Sequence, residues 1–118
     1  MTNLTGLKLS KFLVLLSIIT IMIISYAVEA RAQTAGDVLD KMSAEQSASY
    51  INGVVEGLAY ARWLKDRPDQ TGMRCIYDWN YGEDSEVNTQ RLLTWFEQQP
   101  DKPVGALVHV MIKKDCGE

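Results

Sequence analysis

An uncharged run at residues 12–28 constrains this chain most, because it decides in which compartment the remaining sequence folds. Lys8 and Lys11 precede the run, and Ala-Arg-Ala follows it at 30–32. A basic start, an apolar middle and small residues at the exit are typical of a secretory signal peptide, so we expect residues 1–32 to be cleaved off. A membrane anchor is the alternative, since the 17 uncharged residues are near the lower limit of about 17 for a bilayer span. Both interpretations export the rest of the chain.

The exported residues 33–118 are expected to form one small, acidic domain. They carry 9 Lys or Arg and 14 Asp or Glu, because three of the 12 basic residues and one of the 15 acidic residues precede them, and the net charge is therefore about −5. Nucleic acids and anionic lipids are bound by basic surfaces. We therefore expect a protein partner, no nucleic acid, and no membrane contact once the leader is removed.

The chain has two cysteines, Cys75 and Cys116, which lie 41 residues apart. In a small exported domain this pair predicts one disulfide, with two independent buried thiols as the alternative. Closing a loop of that length would destabilise the unfolded chain by about 4 kcal/mol. Two cysteines and the single His109 do not complete a four-ligand zinc site. The sequence predicts no metal and no cofactor.

Three segments have the spacing of amphipathic helices. The first covers about 44–65, with Ser43 and Gln46 as a capping box before it. The second covers about 85–98, and the third begins at Pro103 and ends before Gly117. Their apolar faces are Ile51, Val54, Val55 and Leu58 in the first, Thr89, Leu92, Leu93 and Phe96 in the second, and Val104, Leu107, Val108, Met111 and Ile112 in the third.

The predicted fold is all-α, a small antiparallel three- to four-helix bundle with one disulfide, because no segment alternates with the period of a strand. Residues 35–42 are too few to stand alone as a helix. Residues 73–82, MRCIYDWNYG, are expected to form a loop that the disulfide holds over the end of the core. Gly53 and Gly57 lie four apart on the first helix, where we expect another backbone or a ring to approach closely.

The sequence offers few candidate catalytic residues. His109 is the single histidine, it is offset from the apolar face of its helix, and no nucleophile or acid stands in a recognisable motif with it. Glu56 lies among apolar positions of the first helix, where it could pair with a basic residue, face solvent or act as a general acid. We therefore predict that the protein is not an enzyme.

The aromatic residues exceed what the core of a domain this size needs. Tyr and Trp concentrate at binding hot spots, so those outside the core would mark a protein interface. The acidic run at 83–86 could meet a basic partner, or could simply be the solvated start of a helix. The predicted partner-binding residues are Tyr77, Trp79, Tyr81, Glu83, Asp84 and Glu86.

Three segments lie within residues 43–117: SYINGVVEGLAYA, WFEQQPDKP and LVHVMIKKDC. Together they resemble the Rap/Tai family of periplasmic immunity proteins, which neutralise amidase effectors delivered by type VI secretion. The family's Tyr-x-x-Gly-Val pattern matches Tyr50, Gly53 and Val54, and its later cysteine pair matches Cys75 and Cys116. The resemblance implies a small, helical, disulfide-linked periplasmic protein that binds and occludes a partner protein.

A weaker similarity links the chain to the HdeA-like acid-stress chaperones, which are also small, periplasmic, helical and held by one disulfide. Their first cysteine precedes the long helix, whereas Cys75 follows it. Those chaperones loosen in acid as their carboxylates are protonated. An acid-stress chaperone is therefore the alternative function.

Overall fold

The computed structural model describes residues 4–25 and 31–118, with side chains at 9–19 and 31–118. The chain divides into two units, Met1–Arg31 and Ala32–Glu118. The first unit contains helix α1, Leu4–Ser25. Over the described residues, no helix is both long enough and apolar enough to cross a bilayer. Residues 26–30 lie outside the described residues, so cleavage of the leader stays a prediction.

Five helices build the second unit, and no β-strand occurs in the described parts of the chain. The all-α class is confirmed, but the predicted number of three to four helices is wrong. The two additional helices are the short segments that sequence analysis left as non-helical. The helices are α2 (Ala35–Lys41), α3 (Ala44–Asp66), α4 (Thr71–Tyr81), α5 (Ser85–Gln98) and α6 (Val104–Cys116).

Helix α2 forms although its seven residues are too few for an isolated helix. At its start, Thr34 Oγ1 accepts from the Asp37 backbone N–H at 3.1 Å, and Asp37 Oδ2 accepts from the Thr34 N–H at 3.2 Å. This reciprocal capping box satisfies two donors that a helix start leaves unpaired. Lys41 pairs with Asp37 one turn later. These local contacts favour helix α2, but they are not sufficient by themselves to stabilise it.

Tertiary contacts with the turn between α5 and α6 supply the remaining stabilisation of α2. The backbone N–H groups of Ala35 and Gly36 donate to the carbonyls of Lys102 and Pro100 at 2.9 and 2.8 Å. Ala35 and Val38 are fully buried. A β-carbon at Gly36 would lie 3.2 Å from the Pro100 carbonyl oxygen, so glycine permits this close approach. Tertiary packing therefore stabilises α2, although the helix is too short to form in isolation.

Helix α4 occupies most of the segment that was predicted to be a loop. Gly72, Ile76 and Trp79 are buried on one face, at the i, i+4, i+7 spacing of a helix. Before the first turn, an oxygen of Asp69 accepts from the Thr71 backbone N–H at 2.9 Å and from its hydroxyl at 2.7 Å. Gly, Tyr, Trp and Asn are modest or poor helix formers, which concealed this pattern in the sequence. Packing, mainly against α3, stabilises the helix.

The three predicted helices are confirmed with nearly the predicted bounds. Ser43 and Gln46 form the expected capping box at the start of α3. On α5, Leu92 and Phe96 of the predicted face are buried and Leu93 is half-buried, but Asn88 rather than Thr89 extends the buried face. All five apolar positions predicted for α6 are buried. The core combines Ala35, Val38, Ile51, Val55, Ala59, Ile76, Trp79, Leu92, Phe96, Val104, Leu107, Val108, Met111 and Ile112.

The expectation for the two glycines of α3 is wrong. Gly53 and Gly57 are exposed, and a β-carbon at either would meet no heavy atom of another described element within 4 Å. The close approach occurs at Gly72 in α4, where a β-carbon would lie 2.5 Å from Nε of Arg62. Glycine at position 72 therefore lets the Arg62 guanidinium lie against the α4 backbone.

Candidate functional site

The disulfide between Cys75 and Cys116 is confirmed, with Cα atoms 5.7 Å apart. It joins the middle of α4 to the last residue of α6. These two helices contribute to two surface concavities that differ in charge. The disulfide therefore fixes α4 and α6, the two helices that contribute to both concavities.

The first concavity, which we call the acidic depression, has a volume of about 790 Å³. Four carboxylates line it, from Asp78 on α4, Glu83 and Asp84 in the following turn, and Asp115 near the end of α6. Val87 adds an apolar contact and is 59% exposed. The lining thus combines concentrated negative charge with one accessible aliphatic side chain.

Asp115 joins a hydrogen-bonded network beneath the acidic depression. Its Oδ2 accepts from Trp79 Nε1 and from Arg91 Nη1, both at 3.0 Å. Buried Asn88 donates to the Trp79 carbonyl at 3.0 Å and accepts from Arg91 Nη1 at 3.0 Å. Hydrogen bonding to Arg91, and secondarily to Trp79, lowers the pKa of Asp115, although partial burial opposes the shift. The network therefore keeps this carboxylate charged to a lower pH than an ordinary aspartate.

The predicted partner-binding residues differ in their exposure to solvent. Glu83, Asp84 and Glu86 are exposed in the turn and in the first turn of α5. Tyr81 is 55% exposed, whereas Trp79 is 6% exposed and belongs to the core. The expectation that Trp79 offers its ring to a partner therefore fails, because α4 is a helix that turns this side chain inward.

Tyr77 and Tyr81 form a clamp with Glu56, which was not predicted from the sequence. The hydroxyls of Tyr77 and Tyr81 donate to the two oxygens of Glu56, at 2.9 and 3.1 Å. Their rings stack with centroids 6.3 Å apart, and Tyr77 packs partly against the core. The Glu56 hydrogen bond raises the pKa of Tyr77, while desolvation and then Glu56 raise the pKa of Tyr81. The spacing of the tyrosines, i and i+4, was the available signal.

The second concavity, which we call the basic cleft, has a volume of about 340 Å³. It lies among α3, α4 and α6, next to the C-terminal residues. Its apolar lining consists of Leu58, Ala61 and Ile76. Its basic residues are Arg62, Lys65, His109 and Lys113. The cleft has no local signal in the sequence, because its lining residues are spread over positions 58–118.

His109 is exposed at this cleft, as its offset from the apolar face of α6 predicted. Within the described residues, no group of three or more His, Cys, Asp or Glu side chains is placed to hold a metal ion. Comparisons of the chain with protein-family models, with curated proteins and with solved structures found no match.

Proposed function

We propose that this is a non-enzymatic periplasmic protein that binds a partner protein and occludes part of its surface, as the Rap/Tai immunity proteins that it resembles do. The acidic depression carries this proposal. Four carboxylates line it, and the cation among its lining residues, Arg91, already pairs with Asp115 at 3.0 Å. The remaining negative charge complements a basic surface, and such complementarity accelerates and orients association.

The wall of the acidic depression is held rigidly, which favours binding because little ordering is needed on association. Trp79 is buried and bonded at Nε1, and Asn88 bridges α4 and α5 through the Trp79 carbonyl. Cys75 lines the depression and is tied to α6 by the disulfide. Three elements are thus fixed relative to one another before a partner arrives.

Apolar contacts in this proposal come from Tyr81 and Val87, which flank the turn and are each more than half exposed. Glu83, Asp84 and Glu86 form the charged part of the surface. Aromatic anchors such as Tyr81 commonly provide much of the binding energy of an interface, while rim charges mainly affect the association rate. In this proposal, Tyr81 and Val87 make the apolar contacts, and the three carboxylates mainly increase the association rate.

The experiment begins with co-purification of the affinity-tagged protein from the periplasm of the producing cell, followed by mass spectrometry. We expect one stoichiometric protein at neutral pH. The triple variant E83K/D84K/E86K should then lower the association rate constant for that protein by about tenfold or more at low salt. The matched control is D40K/E45K/E97K, which reverses three exposed charges that do not line the depression. Equal association rates for the two triple variants would refute the proposed surface.

An HdeA-like acid-stress chaperone is the second candidate, and the pKa values of three aspartates favour it. The Lys41 and Thr34 hydrogen bonds lower the pKa of Asp37 to about 2, and hydrogen bonds also lower the pKa of Asp69 and Asp115. A folded-state pKa below the unfolded value stabilises the domain above about pH 4 and loses that contribution as the pH falls. This candidate predicts dye binding and many weak clients near pH 3. Native near-ultraviolet circular dichroism without dye binding at that pH would exclude it.

A further inference from the structure

We propose that the basic cleft binds a small anionic amphiphile, a molecule with a short apolar body and one carboxylate head. This inference is independent of the acidic depression and of any protein partner. The cleft volume, about 340 Å³, lies within the range of about 300 to 1,000 Å³ that is usual for small-molecule sites. The two halves of the proposed ligand correspond to two parts of the cleft.

The apolar body is accommodated by aliphatic side chains from two helices. Leu58 and Ala61 line the cleft from α3, and Ile76 lines it from α4. Ile76 is 3% exposed and therefore belongs to the rigid core, whereas Ala61 is open to solvent. A ligand chain placed against these residues would lose contact with water, which is the main source of affinity for an apolar body.

Three cationic side chains at the cleft provide partners for the anionic head. Arg62, Lys65 and Lys113 are three of the 9 Lys and Arg residues in an otherwise acidic domain, and all line this cleft with His109. Asp66 pairs with Arg62 and Glu118 pairs with Lys113. Lys65 forms no ion pair within the described part of the chain. Lys65 therefore adds an unpaired positive charge beside the two paired cations.

The protein's own C-terminal residues already place oxygen acceptors on these cations. Arg62 Nη1 donates to the Gly117 carbonyl at 2.9 Å, and the Glu118 carboxylate pairs with Lys113. The guanidinium of Arg62 is held against the α4 backbone at Gly72. The donors are thus oriented in advance, and a ligand carboxylate at Lys113 would compete with Glu118.

The test uses sodium decanoate, below its micelle concentration, with protein recovered from the periplasm. Because His109 is the single histidine, its imidazole proton resonances report directly on the cleft. We expect a saturable shift with a dissociation constant below about 1 mM, corresponding to roughly −4 kcal/mol. Decanol and decyltrimethylammonium should bind at least about tenfold more weakly, because the neutral head lacks charge and the cationic head is repelled.

Three variants locate the binding. Lys113→Gln should weaken decanoate binding by about fivefold through loss of a charge-assisted contact. Glu118→Gln should strengthen it about twofold to fivefold, because a competing carboxylate is removed. Ala61→Trp, at an exposed position, should fill the cleft and abolish binding without disturbing the core. Lys102→Gln makes the same charge change in the turn between α5 and α6 and should leave binding unchanged.

Several outcomes would overturn the inference. Absence of a saturable His109 shift would exclude the site, and equal binding of decanol would exclude recognition of the anionic head. Equal weakening by Lys113→Gln and Lys102→Gln would show only nonspecific charge attraction. Binding of an acidic peptide ending in Gly-Glu, with no binding of decanoate, would assign the cleft to a protein partner instead.

Discussion

The acidic depression and the basic cleft share two helices but differ in the charge of their lining residues. Helix α4 contributes Asp78 to the depression and Ile76 to the cleft, while α6 contributes Asp115 and Lys113 respectively. The domain's net charge of about −5 therefore describes neither surface. Net charge indicates which molecules a protein attracts at long range, but the charge of a local surface determines what binds at that surface.

The two regions also differ in what supports their polar groups. In the acidic depression, the Asp115 carboxylate is bonded to a buried indole and to Arg91. In the basic cleft, Arg62 and Lys113 are bonded to the last two residues of the chain. The depression is therefore built on the core, whereas the cations of the cleft are bonded to two exposed residues that follow Cys116.

Removing the disulfide should have the largest effect, because both regions depend on it. We expect Cys75→Ala/Cys116→Ala to lower the free energy of unfolding by about 4 kcal/mol, through the greater entropy of the unfolded chain. Urea denaturation followed by far-ultraviolet circular dichroism measures this change. Wild-type protein under reducing conditions provides the control and should behave like the double variant. An unchanged denaturation midpoint would show that packing alone holds α4 against α6.

Asp115→Asn should affect the acidic depression alone, with an intermediate loss of stability. We expect about 1 kcal/mol at pH 7, because asparagine lacks the charge that strengthens these hydrogen bonds, while solvent reaches both Asp115 and Arg91. The folded-state pKa of Asp115 is lowered, so its contribution is present above about pH 4 and disappears as the pH falls further. Stability measured against pH should show the two proteins converging in acid.

The matched control for that prediction is Asp78→Asn, which lies in the same depression on the exposed side of α4. We expect a change below about 0.5 kcal/mol, as is usual for surface substitutions. Decanoate binding by the basic cleft should be the same in both variants. Loss of decanoate binding in Asp115→Asn would show that the two regions are coupled through α6.

Glu56→Gln should have the smallest effect, because Glu56 lines neither concavity. Glutamine carries no charge and keeps one acceptor oxygen, so it can accept from one tyrosine hydroxyl and donate its NH2 group to the other. We therefore expect the raised pKa values of both tyrosines to move down towards the ordinary value. Phenolate absorbance during an alkaline titration measures the shift, and Glu45→Gln is the control. Superimposable titrations of Glu56→Gln and wild type would contradict the clamp.

Much of the fold could be predicted because the relevant signals are local. The capping box at Ser43 and Gln46, the apolar positions of α6 and the two cysteines each lie within one segment or form a unique pair. Less of the candidate site could be predicted. The acidic residues at 83–86 are exposed as expected, but Trp79 is buried, and the partners of Glu56 and Asp115 come from distant segments.

The sequence by itself determined the helical class, the bounds of α3, α5 and α6, and the partner of each cysteine. Helical periodicity, capping residues and the number of cysteines can be read without knowing how the helices pack. Only the tertiary structure decided that α2 and α4 are helices, that Trp79 faces inward, and that Arg62, Lys65 and Lys113 meet at one cleft. Short helices with weak intrinsic propensity depend on packing for their stability. The meeting of side chains from different helices depends on how those helices pack.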